Sequence, residues 1–228
     1  MTDAPAAEPA ALRERMVAEV DEMYAQTSAE TGLARMSAPV RRALARVERH
    51  RLVPPHGARA AYENRPLPIG HGQTISQPYI VAVSTDLLGL EGGERVLDVG
   101  TGSGYQAAVL AEIAAQVYSI EIVPQLAEAA RERLSALGYR NIEVRVGDGY
   151  AGWPEQAPFD AIIVAAAAPE VPRALVAQLK PGGRLVIPVG GAWTGQALRV
   201  VTRRAEGGHD EKDVLPVRFV PLVPGPRR

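Results

Sequence analysis

RVLDVGTGSGY, residues 95–105, reads as a short buried strand followed by a glycine-rich turn that opens a helix. Such a turn lets a ligand approach the backbone closely, because glycine has no side chain and the first helical turn offers free N–H groups. Glu121 follows at the end of the next predicted strand, about 20 residues further on, where a carboxylate can accept hydrogen bonds from ribose hydroxyls. The stretch therefore predicts a nucleotide-binding α/β unit.

The chain after Glu94 alternates between predicted strands and helices. The strands are predicted at 95–99, 117–121, 141–146, 160–165, 184–189, 197–202 and 214–220, and the helices at 106–114, 124–137 and 170–179. Strands joined by helices pair in parallel, whereas the last two, joined by a loop at residues 207–208, should pair antiparallel. We expect an α/β, Rossmann-like sheet of seven strands, mostly parallel, with an antiparallel last strand.

The N-terminal quarter has a different pattern. Residues 1–10 are rich in Ala and Pro and are expected to form a disordered tail. Apolar residues then recur at helical spacing, at Leu12, Met16, Val20, Met23 and Tyr24 and again at Val40, Leu44 and Val47. We predict an N-terminal helical extension over residues 11–60 and the α/β domain over residues 61–228.

Composition excludes several classes of protein. The chain has 228 residues, of which 46% are apolar and 22% are charged, and this composition excludes a wholly disordered protein. A net charge of -1 offers no basic surface for nucleic acid, and the absence of cysteine excludes disulfides, thiolate zinc sites and a cysteine nucleophile. The longest apolar run, residues 161–168, is far shorter than the roughly 20 residues of a membrane span. We therefore expect a cytoplasmic protein with no nucleic-acid or membrane partner.

The spacing of the glycines indicates which nucleotide is bound. A dinucleotide-binding loop needs glycine where this chain has Tyr105. The pattern from Asp98 to Gly104, an acid followed by glycine at every second position, instead resembles motif I of class I S-adenosylmethionine-dependent methyltransferases. That resemblance implies S-adenosyl-L-methionine as the methyl donor and a set of cofactor-binding residues in the turns after the first three strands: Gly100, Thr101, Gly102, Gly104, Glu121, Ile122, Gly147 and Asp148.

A second resemblance covers residues 61–222. The stretch RPLPIGHGQTISQPY, residues 65–79, is the most specific, and its many Pro and Gly residues argue against a regular element. With VGDGY (146–150), GWP (152–154), AAAAP (165–169), KPGGRLVIPVG (180–190) and VRFVPL (217–222), it closely resembles the protein-L-isoaspartate O-methyltransferases. The resemblance implies that residues 65–79 form a substrate loop, with Ser76 as the active-site serine and Thr74 and Ile75 beside the cofactor.

The family resemblance also implies a reaction. A methyl group passes from S-adenosylmethionine to the α-carboxylate of an L-isoaspartyl residue in a damaged protein or peptide, and the ester then collapses to a succinimide without the enzyme. A carboxylate with a pKa near 4 is already ionised at neutral pH, so the reaction needs no general base and no metal. His71 is accordingly expected to be a loop residue, and Ser76 a hydrogen-bond donor rather than a nucleophile, since no Gly-x-Ser-x-Gly elbow surrounds it.

Two alternatives remain open from the sequence. The same fold can methylate another carboxylate substrate, or it can bind S-adenosylmethionine without catalysis as a sensor or partner module. An intact segment from Gln73 to Ser76 favours catalysis. We expect the protein to act as a monomer.

Overall fold

A computed structural model describes residues 8–191 and 195–225 of the chain. The N-terminal part is helical, as predicted, and contains α1 (Pro9–Gln26), α2 (Ser28–Thr31) and α3 (Ala38–Arg46), followed by 3-10 helices at Arg49–Arg51 and Pro55–Ala60. Of the predicted tail, residues 1–7 lie outside the described residues. Helix α1 already begins at Pro9, because proline is well tolerated in the first helical turn.

The segment at residues 65–79 is more regular than predicted. Strands β1 (Leu67–Gly70) and β2 (Gln73–Ile75) form an antiparallel hairpin, and α4 (Pro78–Leu88) follows directly. Proline is tolerated here because both strands of a two-stranded ribbon are edges, where a missing N–H need not break a ladder bond. The glycines fall at the turn, where His71 also has a positive φ of 51°. The expectation of an irregular segment is therefore wrong.

The main sheet has seven strands, and it confirms the predicted fold class. They are β3 (Arg95–Val99), β4 (Gln116–Glu121), β5 (Ile142–Val146), β6 (Phe159–Val164), β7 (Leu179–Gly191), β8 (Gly195–Arg203) and β9 (His209–Val217). Their order across the sheet is β5-β4-β3-β6-β7-β8-β9. The first five pair in parallel, while β8 pairs antiparallel with both β7 and β9.

Three helices join the parallel strands, α5 (Tyr105–Ala111), α6 (Pro124–Ala136) and α7 (Arg173–Ala177). The predicted end of α6 is confirmed, since Gly138 just beyond it has a φ of 87°. Helix α7 is shorter than predicted because Pro172 keeps the residue before it out of the helical region. Gly182 and Gly183, which follow α7, belong to a bulge in β7. A Cβ on Gly183 would lie 2.8 Å from the carbonyl oxygen of Asp160.

Alternating side chains of the central strands feed two hydrophobic clusters, one on each face of the sheet. Val96 belongs to one cluster and Leu97 to the other. The first cluster also contains the buried faces of α1, α3 and α4, so the N-terminal helices share a core with the sheet. Within the described ranges, no helix has the length and mean hydropathy needed to cross a bilayer.

Candidate active site

A cavity opens at the carboxyl ends of β3, β4 and β6, where loops of a parallel sheet meet. We call it the inner cavity. Sequence-predicted residues from three segments line it together: Thr74, Ile75 and Ser76 from the hairpin, Gly100, Thr101 and Gly102 from the glycine turn, and Glu121 and Ile122 from the end of β4. The fold thus brings the predicted substrate loop and the predicted cofactor loop to one place.

The glycine turn is held in a conformation that presents its backbone to the inner cavity. Gly100 has a φ of 97° and Gly102 a φ of 52°, values that favour glycine. The N–H groups of Gly100 and Thr101 both donate to the carbonyl oxygen of Ile120, at 2.8 and 3.1 Å. These bonds attach the turn to the end of β4.

Glu121 is the buried acid of this site, with 6% of its surface exposed. One carboxylate oxygen accepts a hydrogen bond from the N–H of Gly102 at 2.8 Å, and the other accepts from the N–H of Val123 at 3.0 Å. A carboxylate has about four acceptor positions, so the two oxygens retain capacity for the hydroxyls of a ribose. The arrangement suits a nucleoside bound across the glycine turn.

A chain of hydrogen bonds lies beneath the turn. Thr101 donates to Ser119 at 2.6 Å, and Ser119 donates to one carboxylate oxygen of Asp98 at 2.7 Å. The second oxygen of Asp98 is buried and has no hydrogen-bond partner among the described residues. Burial raises the pKa of the Asp98 carboxyl to about 7. The hydrogen bond from Ser119 lowers this pKa, and the charge of Glu121 raises it. Asp98 lies beneath the described lining of the inner cavity, so Glu121 is the buried acid that faces a ligand there.

Ser76 stands at the junction of the inner cavity and a second depression, which we call the outer groove. The groove is lined by Pro66, Thr74, Ser76, Gln77, Ile80, Ala165 and residues 216–220. Thr74, Ser76, Ala165 and Val220 line both spaces. Within the described parts of the chain, the Ser76 hydroxyl makes no hydrogen bond, so it is free to donate to a group that enters from the groove.

Three predicted cofactor residues lie outside the described lining of the inner cavity. Gly104 instead permits close packing of α6, since a Cβ there would lie 3.2 Å from Leu134. Gly147 donates its N–H to the carbonyl oxygen of Glu121 at 2.9 Å. Asp148 accepts from the N–H of Tyr150 at 2.8 Å, and its neighbour Gly149 lines the cavity.

The sequence reasoning missed the C-terminal wall of the inner cavity. Residues 220–223 line it, although residues 218–220 were predicted as the end of a strand. Strand β9 ends at Val217 because the segment after it pairs with Ala167. The N–H of Ala167 donates to the carbonyl oxygen of Val220 at 2.8 Å, and the carbonyl oxygen of Ala167 accepts from the N–H of Leu222 at 2.7 Å. The signal was present in VRFVPL, whose Pro221 is unfavourable in a central strand. His71, exposed at the hairpin turn, lies outside the described lining.

Comparison with known proteins identifies the family. The sequence profile of the protein-L-isoaspartate(D-aspartate) O-methyltransferases matches residues 22–226. The chain belongs to this family. A protein-L-isoaspartate O-methyltransferase 2 of Syntrophobacter fumaroxidans is 55% identical over 215 residues, covering 94% of this chain and 87% of the relative. A protein-L-isoaspartate O-methyltransferase of Anaeromyxobacter dehalogenans is 60% identical over 182 residues, covering 79% of this chain and 87% of the relative.

Solved structures agree with the sequence comparison. A crystal structure of a family member from Plasmodium falciparum, in complex with S-adenosyl-L-homocysteine, matches with a TM-score of 0.76 at 25% identity. The match covers 95% of this chain and 99% of that one. These findings confirm the resemblance inferred from the motifs, and with it the class of enzyme, a methyltransferase.

Proposed function

We propose that the protein transfers the methyl group of S-adenosyl-L-methionine to the α-carboxylate of L-isoaspartyl residues in damaged proteins. The observation that carries this proposal is the position of Ser76, whose free hydroxyl lies where the inner cavity meets the outer groove. A donor in the inner cavity and a peptide in the outer groove would meet at this residue. Membership in the protein-L-isoaspartate O-methyltransferase family supports the same substrate.

The residues of the inner cavity fit the proposed methyl donor. Glu121 offers acceptors for the ribose hydroxyls, and the backbone of Gly100 and Gly102 allows close approach. The buried carboxylate of Glu121, which lines the inner cavity, gives the site a negative potential. When bound, S-adenosylmethionine supplies a methyl group on a sulfonium, which is a good leaving group. We propose that Gly104, Gly147 and Asp148 belong to this set as well; Asp148 adjoins Gly149, which lies in the wall of the inner cavity.

The protein's own part in the reaction is alignment. The substrate carboxylate is already ionised at neutral pH, so no residue has to remove a proton from it. Ser76 donates a hydrogen bond to one carboxylate oxygen and thereby points the other at the methyl carbon, in line with the departing sulfur. The hairpin on one side and residues 220–223 on the other exclude water from the reacting groups. The backbone nitrogen of the residue that follows the isoaspartate would then attack the ester carbonyl, close the succinimide ring and release methanol, without further help.

We also propose that the chain works as a monomer in the cytoplasm, without a nucleic-acid or membrane partner. The net charge of -1 and the absence of cysteine support this setting. Residues 61–228 would form the catalytic domain, and residues 11–60 an extension that packs on it. Light scattering at micromolar concentration tests the oligomeric state, and a mass of twice 24.3 kDa would contradict the proposal.

The decisive assay for the substrate uses two peptides of identical sequence, one with L-isoaspartate and one with L-aspartate. The protein is incubated with each peptide and methyl-labelled S-adenosylmethionine, and ester formation is counted before the ester hydrolyses. We expect label in the isoaspartyl peptide alone. Equal labelling of both peptides would favour a methyltransferase for other carboxylates, and binding of the donor without labelling of either would favour a non-catalytic module.

A further inference from the structure

The outer groove has one charged side chain among its described lining residues, that of Arg218. The rest of the lining is apolar, as at Pro66, Ile80 and Phe219, or neutral and polar, as at Ser76 and Gln77. A groove with this composition can contact the apolar parts of a peptide anywhere along its length. Among its described residues, discrimination by charge can come from Arg218 alone.

The backbone on either side of Arg218 is fixed. Val217 pairs with Gln196 in the β8–β9 ladder. The side chain of Gln196 then binds both backbone groups of Phe219, accepting from its N–H at 2.6 Å and donating to its carbonyl at 3.2 Å. Val220 is held in turn by the N–H of Ala167 at 2.8 Å. Arg218 therefore projects from a rigid strip, and binding a ligand would not require the main chain to become ordered.

The Arg218 side chain is also unengaged. It is exposed, and within residues 8–191 and 195–225 it makes no hydrogen bond or ion pair. The arginines of β8 differ: Arg199 pairs with Asp213 and Glu211 at 2.5 and 2.6 Å, and Arg203 donates to backbone carbonyls. A cation left without an anion beside the proposed reaction centre is available to the substrate.

We propose that Arg218 selects isoaspartyl peptides that carry a carboxylate side chain near the damaged residue. This inference rests on the proposed function, in which the isoaspartyl carboxylate binds at Ser76. Arg218 is two residues from Val220, which lines the junction of the two spaces. Two residues span at most about 7 Å, and a bound peptide advances about 3.3 Å per residue, so the acidic side chain belongs one to three positions from the isoaspartate.

The ion pair between Arg218 and the acidic side chain of the peptide would be open to solvent, which limits its strength and makes it sensitive to salt. An exposed ion pair corresponds to a preference of about two- to fivefold in kcat/KM for a peptide with Glu over one with Gln at low ionic strength. The preference should shrink as salt is added, because the Debye length falls from about 10 Å at 0.1 M to about 3 Å at 1 M.

The test uses three isoaspartyl peptides that differ at one flanking position, which is Glu, Gln or Lys, in competition for the same enzyme. The wild-type enzyme should prefer Glu over Gln and Gln over Lys. Arg218→Gln should bring the ratios close to one, Arg218→Glu should invert their order, and Arg218→Lys should restore it. Arg140→Gln is the matched control, since Arg140 is exposed and lies outside the described lining of both spaces, and it should keep the wild-type order.

The outcomes separate this inference from the proposed function. If the wild-type enzyme methylates all three peptides but Arg218→Gln keeps their ratios, the inference is wrong and the function stands. An equal fall for all three peptides in Arg218→Gln, without a change in their ratios, would mean that Arg218 acts on the reacting carboxylate or on the fold, and would also overturn the inference. If the wild-type enzyme methylates none of the three peptides, the proposed function and the inference about Arg218 are both wrong.

Discussion

Arg49 lies over the face of Tyr105, with 4.5 Å between the guanidinium carbon and the centre of the ring. Both residues are buried, and the Nε of Arg49 donates to the carbonyl oxygen of Ala61 at 2.7 Å. Tyr105 begins α5 directly after the glycine turn and lines the inner cavity. The N-terminal extension therefore contacts the cofactor turn through a buried cation–π pair.

We predict that the ring of Tyr105, and not its hydroxyl, stabilises this contact. The hydroxyl is buried without a hydrogen-bond partner among the described residues, so Tyr105→Phe should change the free energy of unfolding by less than about 1 kcal/mol. Tyr105→Leu removes the face that Arg49 covers and should cost about 2–4 kcal/mol. Urea unfolding measures both. An equal loss in the two variants would mean that the hydroxyl carries the stabilisation.

Glu121→Ala should weaken binding of S-adenosylhomocysteine by about 1–3 kcal/mol, or roughly 5- to 150-fold, because it removes charge-assisted hydrogen bonds to the ribose. The same substitution frees the N–H groups of Gly102 and Val123, so some stability should be lost as well. Titration calorimetry measures the affinity. Glu128→Ala, on the exposed side of α6, is the control and should bind like the wild type; equal affinity of the Glu121→Ala variant would remove Glu121 from the ribose site.

Ser76→Ala should separate catalysis from cofactor binding. Loss of a hydrogen bond to a charged carboxylate should lower kcat about tenfold or more, while the affinity for S-adenosylhomocysteine stays within about twofold. Steady-state kinetics with an isoaspartyl peptide gives the first quantity and calorimetry the second. Ser135→Ala, at an exposed position of α6, should leave both unchanged. Wild-type turnover in Ser76→Ala would show that the hydroxyl does not contact the substrate.

Asp98 should make the stability of the protein depend on pH. Its pKa is raised to about 7 in the folded protein from an ordinary value of 3.8. Between these values the folded state holds a proton that the unfolded state has lost, so the free energy of unfolding falls as pH rises, by up to about 1.4 kcal/mol per pH unit. The fall should end above about pH 7, where both states are ionised.

Asp98→Asn lacks this titration and is the comparison. Urea unfolding of both proteins at pH 5, 6, 7 and 8 should show the wild type losing stability relative to the variant up to pH 7, with a constant difference beyond it. Parallel curves over the whole range would mean that Asp98 is ionised throughout, as it would be if an unseen partner satisfied its second oxygen.

The sheet was predictable because its strands are joined by helices with strong local signals. Pro124 and Gly138 mark the ends of α6, and the glycine turn marks the start of α5. Helix α4 was missed because the preceding prolines and glycines suggested a loop, while its apolar residues lie on several faces and give no clear stripe. Periodicity fails for a helix that is buried on most sides.

The candidate site was predictable where one segment carries the signal and unpredictable where two distant segments meet. The glycine turn and Glu121 belong to one strand–helix–strand unit, so their proximity follows from local structure. The wall formed by residues 220–223 depends on pairing between Ala167 and the segment around Leu222, which lies far along the chain. Asp148 was expected among the cofactor-binding residues from its place after β5; one of its carboxylate oxygens accepts from the N–H of Tyr150, and its contact with the cofactor stays a prediction.

A crystal structure with S-adenosylhomocysteine tests the account most directly. It should place the product in the inner cavity, with both ribose hydroxyls within hydrogen-bond distance of the Glu121 carboxylate. The sulfur should face the Ser76 hydroxyl across the junction with the outer groove. Density for the product elsewhere on the protein, or a Ser76 side chain directed away from the sulfur, would contradict the proposed site.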